Sequence, residues 1–193
     1  MENKIIVALD FNSSSQAVEF VDTLDPKLCR LKIGKELFTA AGPNLVETMI
    51  KKKFDVFLDL KFHDIPNTVA NAVKVAADLG IWMLNVHISG GSTMMKSAKD
   101  AIISRGGCKP ILIGVTVLTS ISSAELSEIG INNDLKDQVV QLAKLAYQSG
   151  LDGVVCSAEE AKLLRNSMPA DFILVTPGIR REQDAAGDQK RVI

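Results

Sequence analysis

The chain carries seven apolar runs of strand length, and each of the first six is followed by an amphipathic run of helix length. Strands are predicted at Lys4–Leu9, Arg30–Gly34, Val56–Phe62, Trp82–Ile88, Pro110–Val117, Gly153–Cys156 and Phe172–Val175. Helices are predicted over Ser13–Leu24, Gly42 to about Lys52, Val69–Leu79, Thr93 to about Ile103, Leu135–Gln148 and Ala158–Asn166, with a short helical turn at Ser123–Ile129. Ala17, Val18, Val21 and Leu24 fall on one helical face behind a serine cap. Pro43 suits a first helical position. Pro110–Val117 is almost wholly apolar, as a parallel strand covered on both faces should be. Residues Arg181–Lys190 are polar without period and read as loop.

This alternation, unbroken by any charge-rich linker, predicts an α/β fold. A doubly wound sheet gathers its site at one crossover point. A barrel draws its site from many strand ends. Here polar residues follow nearly every strand: Asp10, Lys32, Asp59 with Lys61, His87, Thr119 and Arg180. The expectation is therefore a (β/α)8 TIM barrel, a single domain over residues 1–193, with about seven of eight β/α units present. An eighth strand is needed for closure, because strands one and seven would otherwise carry unpaired apolar edges. The natural chain is thus expected to run on past Ile193. An open seven-stranded sheet is the alternative.

The densest chemistry lies in Asp59-Leu60-Lys61-Phe62-His63-Asp64-Ile65-Pro66-Asn67-Thr68. An apolar strand runs into this stretch and a helix runs out of it. Residues two apart on a strand share a face, so Asp59 and Lys61 should project together. Lys32 and Lys61 are expected to alternate in space with Asp59 and Asp64. Such an array is tolerable under cover only if the charges neighbour one another. Carboxylates around a lysine favour its charged form. A charged lysine in a dry pocket can give a proton to carbon or steady a developing carbanion. A carboxylate near a substrate carboxylate would instead repel it.

The Thr176-Pro177-Gly178-Ile179-Arg180 segment is a second focus, since glycine admits a ligand close to the backbone and arginine forks phosphate oxygens. Gly90-Gly91 reads as a turn before a helix, because no Gly-Lys-Ser/Thr ending follows it. His63 and His87 lack metal-ligand spacing and read as hydrogen-bonded residues beside the pocket. Cys29, Cys108 and Cys156 lie far apart in or beside apolar runs, and read as buried thiols of a reducing compartment. A net charge of −1, well mixed along the chain, gives no footprint for nucleic acid. No apolar run reaches the ~18 residues of a membrane span. The strand that follows Met1 leaves no room for a signal peptide, so a cytoplasmic protein is expected.

Taken together, these residues resemble the orotidine 5'-phosphate decarboxylase family in its bacterial single-function form. The run Asp59–Thr68 matches that family's motif in full. Val7-Ala8-Leu9-Asp10, Leu31-Lys32-Ile33-Gly34-Lys35, Asn85-Val86-His87, Val115–Ser120, Gly153–Ser157 and Thr176–Arg180 with Gly187-Asp188-Gln189 support it. The resemblance implies a (β/α)8 barrel and a homodimer with its sites at the interface. It also implies conversion of orotidine 5'-monophosphate to UMP, the last step of de novo pyrimidine nucleotide synthesis, without metal or organic cofactor. By resemblance Lys61 is the proton donor to C6, Asp59 lies near the substrate carboxylate, and Lys32 orders the array on the ribose side. Asp64, Ile65 and Thr68 are lent to the partner's site. Asp10 binds ribose hydroxyls, Thr119 lies near the base, and Arg180 and Gln189 lie on the phosphate side. The family continues past the position of Ile193 with a strand ending in a Gly-Arg pair at the phosphate. A chain ending at Ile193 would lack that anchor.

Two other readings stay open. Sugar-phosphate decarboxylases and aldolases of the same superfamily share an Asp-x-Lys after strand three but use Mg2+. The continuation His63–Thr68 separates this chain from them by resemblance. A non-catalytic nucleotide-binding barrel is the other, and the intact Lys32, Asp59, Lys61 and Asp64 set weighs against it.

Overall fold

The computed structural model describes residues 4–107 and 109–179. In chain order it contains β1 (Ile6–Ala8), α1 (Ser14–Val21), β2 (Arg30–Gly34), α2 (Lys35–Ala41), α3 (Pro43–Lys51), β3 (Val56–Phe62), α4 (Pro66–Asp78) and β4 (Met83–His87). A 3-10 turn (Ile88–Gly90) leads into α5 (Gly91–Arg105), then β5 (Ile111–Val115), α6 (Ser123–Glu128), α7 (Leu135–Gln148), β6 (Gly153–Val155), α8 (Ala158–Ser167) and β7 (Ile173–Val175). Seven strands alternating with helices, each assigned register parallel, place the chain in the α/β class of (β/α)8 barrels.

The described residues gather into two compact units. The first holds the chain up to Phe62, then Pro66–Asn85 and Ser97–Ile111. Its strands β1, β2 and β3 neighbour one another in that order, with Ala8 opposite Lys32 and Gly34 opposite Asp59. Leu31, Ile33, Val56 and Leu58 fill its centre, each at most 1% exposed. Helix α4 closes over it with Val69, Val73, Ala76 and Ala77, the one-sided spacing of an amphipathic helix. At its edge Asp55 bonds the Arg30 guanidinium at 3.1 Å, and that guanidinium lies 4.1 Å over the Trp82 ring.

The second unit holds His63–Ile65, Val86–Lys96 and the described residues from Leu112 on. Strands β5, β6 and β7 run parallel in that order, with Gly153 opposite Ile173. A Cβ on Gly153 would lie 2.2 Å from the Ile173 carbonyl oxygen, so only glycine lets these strands close up. Helices α6 and α8 both open with a complete capping box, Ser122 with Glu125 and Ser157 with Glu160.

Several boundaries differ from expectation. The apolar runs overstate strand length, because Leu9, Ile88, Val117 and Phe172 are buried beyond the ends of the ladders. Helix α2 was not anticipated; it is seven residues long and buries only Leu37, too little to show a period. Helix α4 starts at Pro66 rather than Val69, and α5 at Gly91 rather than Thr93. Ser13 does stand at the N-cap of α1, but its hydroxyl bonds the Gln16 side chain instead of a backbone N–H. Cys29 and Cys156 are buried thiols. Cys108 and the Arg181–Lys190 stretch lie outside the described residues. Among the described residues no helix is long and apolar enough to cross a membrane.

Candidate active site

Strand β3 changes character partway along. Val56, Phe57 and Leu58 are core residues, Asp59 is still buried, and Leu60 to Phe62 emerge half-covered. A carboxylate at the last buried position must find cationic or N–H partners, since an unpaired charge there would be costly. Asp59 finds three. Its Oδ1 accepts from Lys61 Nζ at 2.7 Å and from Asn85 Nδ2 at 2.7 Å. Its Oδ2 faces Lys32 Nζ at 3.6 Å. Lys32 Nζ in turn lies 3.4 Å from Asp10 Oδ1. The result is a row of alternating sign, Asp10–Lys32–Asp59–Lys61, built from β2, β3 and the residues just past β1 in one unit. The row grades from open to covered: the Asp10 side chain is 71% exposed and that of Asp59 12%.

Burial pushes the Asp59 carboxyl up. The charge and hydrogen bond of Lys61, the Asn85 amide and the Lys32 charge together outweigh it and hold Asp59 below its ordinary value. Asp59 is thus an anion at neutral pH, and the Lys61 amine is tethered to it. The amine keeps a face toward the open side, its side chain being 25% exposed.

The backbone of Lys61 is unusual. Its φ is +51°, in the left-handed region that residues with a Cβ enter at a cost of about 1–2 kcal/mol. The Lys61 N–H donates to Asn85 Oδ1 at 2.8 Å. Asn85 is completely buried on β4. One amide side chain therefore grips both the strained backbone of Lys61 and the carboxylate that tethers its amine.

The expected Asp59–Lys61 pairing is present, and Lys32 joins it. Asp10 also enters the charge row through Lys32. Asp64 lies in the second unit and is exposed, with Oδ1 accepting from the Ile65 N–H at 2.7 Å. Ile65 is 67% exposed and Thr68 is exposed. Thr119 is half-buried in the loop after β5. Arg180 and Gln189 lie outside the described residues. The rings of His63 and His87 lie 5.5 Å apart. Among the described residues no three His, Cys, Asp or Glu side chains are grouped as a metal set.

Sequence reasoning quoted Asn85 within a motif but gave it no role of its own. The signal was available: it is the one amide in the apolar run Trp82–Ile88, and a buried amide on a central strand must have hydrogen-bond partners.

The sequence matches the model of the orotidine 5'-phosphate decarboxylase / HUMPS family over residues 3–193. It is 56% identical over 193 residues to the orotidine 5'-phosphate decarboxylase of Actinobacillus pleuropneumoniae serotype 5b, covering 100% of this chain and 84% of that relative. To the enzyme of that name from Neisseria meningitidis serogroup A it is 57% identical over 190 residues, covering 98% of this chain and 77% of the relative. A crystal structure of orotidine 5'-phosphate decarboxylase from Lactobacillus acidophilus superposes with a TM-score of 0.88 at 44% identity, over 93% of this chain and 82% of that one. An uncharacterized conserved protein from Geobacillus kaustophilus gives a TM-score of 0.85 at 40% identity, over 90% and 83% of the two chains.

Proposed function

The chain belongs to the orotidine 5'-phosphate decarboxylase / HUMPS family, and from that premise we infer how its charge row serves the conversion of orotidine 5'-monophosphate to UMP. The reaction breaks the bond between C6 of the pyrimidine and its carboxylate. CO2 leaves, the electron pair stays on C6, and a proton must arrive there. Lys61 Nζ supplies that proton, and the neutral amine regains one from water. The supporting observation is the 2.7 Å contact of Lys61 Nζ with buried Asp59, which keeps a charged donor in one place.

Asp59 lies near the departing carboxylate and disfavours the ground state more than the CO2-like transition state. Lys32 balances Asp59 and, with Asp10, takes the ribose hydroxyls. Thr119 serves the base, and Arg180 and Gln189 the phosphate. Asp64, Ile65 and Thr68 belong to the site of a partner subunit in a homodimer. Their exposure is what lending them requires.

The sugar-phosphate reading differs in its need for Mg2+. Turnover of orotidine 5'-monophosphate, followed by loss of its ultraviolet absorbance, is expected to stay within about twofold after exhaustive treatment with a chelator. Loss of turnover on chelation, restored by Mg2+, would instead favour the metal-dependent branch. UMP binding with no turnover in either condition would favour a non-catalytic barrel.

A further inference from the structure

We propose that Asn85 is a positioning residue for the reaction: it fixes Lys61 and Asp59 relative to one another through its two amide atoms. The inference rests on the reading of Lys61 as the proton donor. Its ground is geometric. Asn85 Oδ1 accepts from the Lys61 N–H at 2.8 Å, and Asn85 Nδ2 donates to Asp59 Oδ1 at 2.7 Å. The amide is wholly buried on β4, so neither bond is exchanged with bulk water. The Lys61 backbone bond matters because a φ of +51° is not where a lysine settles unaided. The Asp59 bond matters because Oδ1 is also the atom that holds the Lys61 amine. Both ends of Lys61, backbone and ammonium, are thereby referred to one rigid group. An asparagine fits because it offers one acceptor and one donor in a plane. Aspartate offers two acceptors, and leucine of similar size offers nothing.

Those alternatives supply the experiment. Asn85→Leu keeps the volume and removes both bonds. Its kcat is expected to fall about 100-fold, the scale on which displacement of a reacting group by about an ångström is felt. UMP affinity should change less than about threefold, since Asn85 has no contact with ligand in this reading. Asn85→Asp is the sharper probe. With one proton shared between the introduced carboxyl and that of Asp59, the new group can accept from the Lys61 N–H and donate to Asp59, as the amide does. When that proton leaves, two carboxylates face each other. Activity should therefore decline as pH rises, along a new alkaline limb that the parent lacks.

The charged groups around this pair are Lys61 on β3, Lys32 on β2 and Asp10 beyond β1. His87, two residues along β4, is common to both proteins, so the parent profile is the baseline. Far-ultraviolet circular dichroism at each pH separates activity from unfolding. A folded Asn85→Leu with kcat within about threefold of the parent, or an Asn85→Asp profile that overlays the parent's, would overturn the proposal. A Lys61→Ala control measured alongside keeps the premise distinct. If that control stays active, the proton-donor reading has failed; if it is inactive while Asn85→Leu turns over normally, only the role of Asn85 has failed.

Discussion

Lys61→Ala is expected to lower kcat/KM for orotidine 5'-monophosphate by at least about 10,000-fold. General-acid transfer by a placed side chain contributes about 100- to 10,000-fold. The ammonium also faces the carbon where negative charge gathers, and loss of such a charge stabiliser costs about 100- to 1,000-fold more. The two contributions overlap, because one group makes both, so the lower figure is the safer one. UMP should still bind, since ribose and phosphate contacts lie elsewhere in the proposed site. Steady-state kinetics beside UMP titration reads both quantities. An alanine variant within about tenfold of the parent would mean that another group delivers the proton.

The second large effect is expected at Asp59. Asp59→Asn should reduce kcat by about 1,000-fold, because the Lys61 amine loses its tether and two lysine ammonium groups then share the space around a neutral side chain. The same substitution has a stability signature with a definite sign. The folded protein holds this carboxyl below its ordinary value, so ionised Asp59 stabilises the fold at pH values above roughly 3.9. That contribution is lost as pH falls through the lower native value. The parent should therefore have the higher Tm at pH 7, and the two melting curves should converge in strong acid. Thermal melts of both proteins from pH 7 downward test this. A gap that persists unchanged into strong acid would mean that Asp59 stabilises the fold through something other than its charge.

The alternation of strands and helices was legible in the sequence because apolar periodicity reports burial, and burial dominates these elements. The same fact explains the errors at their ends. Leu9, Ile88, Val117 and Phe172 are as apolar as their strand neighbours and just as covered, yet lie outside the ladders. Apolar pattern marks what is covered, not where a strand ends. At the site, Asp59 and Lys61 were legible because a period of two puts them on one face. Lys32 was legible as a charge in a short apolar strand, whereas the place of Asp10 beside it was not foreseen. For Asn85 the sequence signals that partners must exist but not which, since its two hydrogen bonds go to residues 24 and 26 positions away. A residue of that kind looks like an imperfection in an apolar strand until its partners are in view.

Two lysines share a backbone state with very different prospects. Among the described residues, Lys53 and Lys61 are the non-glycine positions with φ above zero, at 72° and 51°. Lys53 follows the last turn of α3, a place where glycine commonly serves. For an engineer seeking a hardier protein, both positions invite glycine on conformational grounds. Accepting the invitation at 53 removes a small tension at no chemical loss, whereas accepting it at 61 removes the same tension together with the reagent. A thermostabilising campaign guided by backbone torsions alone would select both, and at 61 it would strip covered Asp59 of its nearest cation along with the activity.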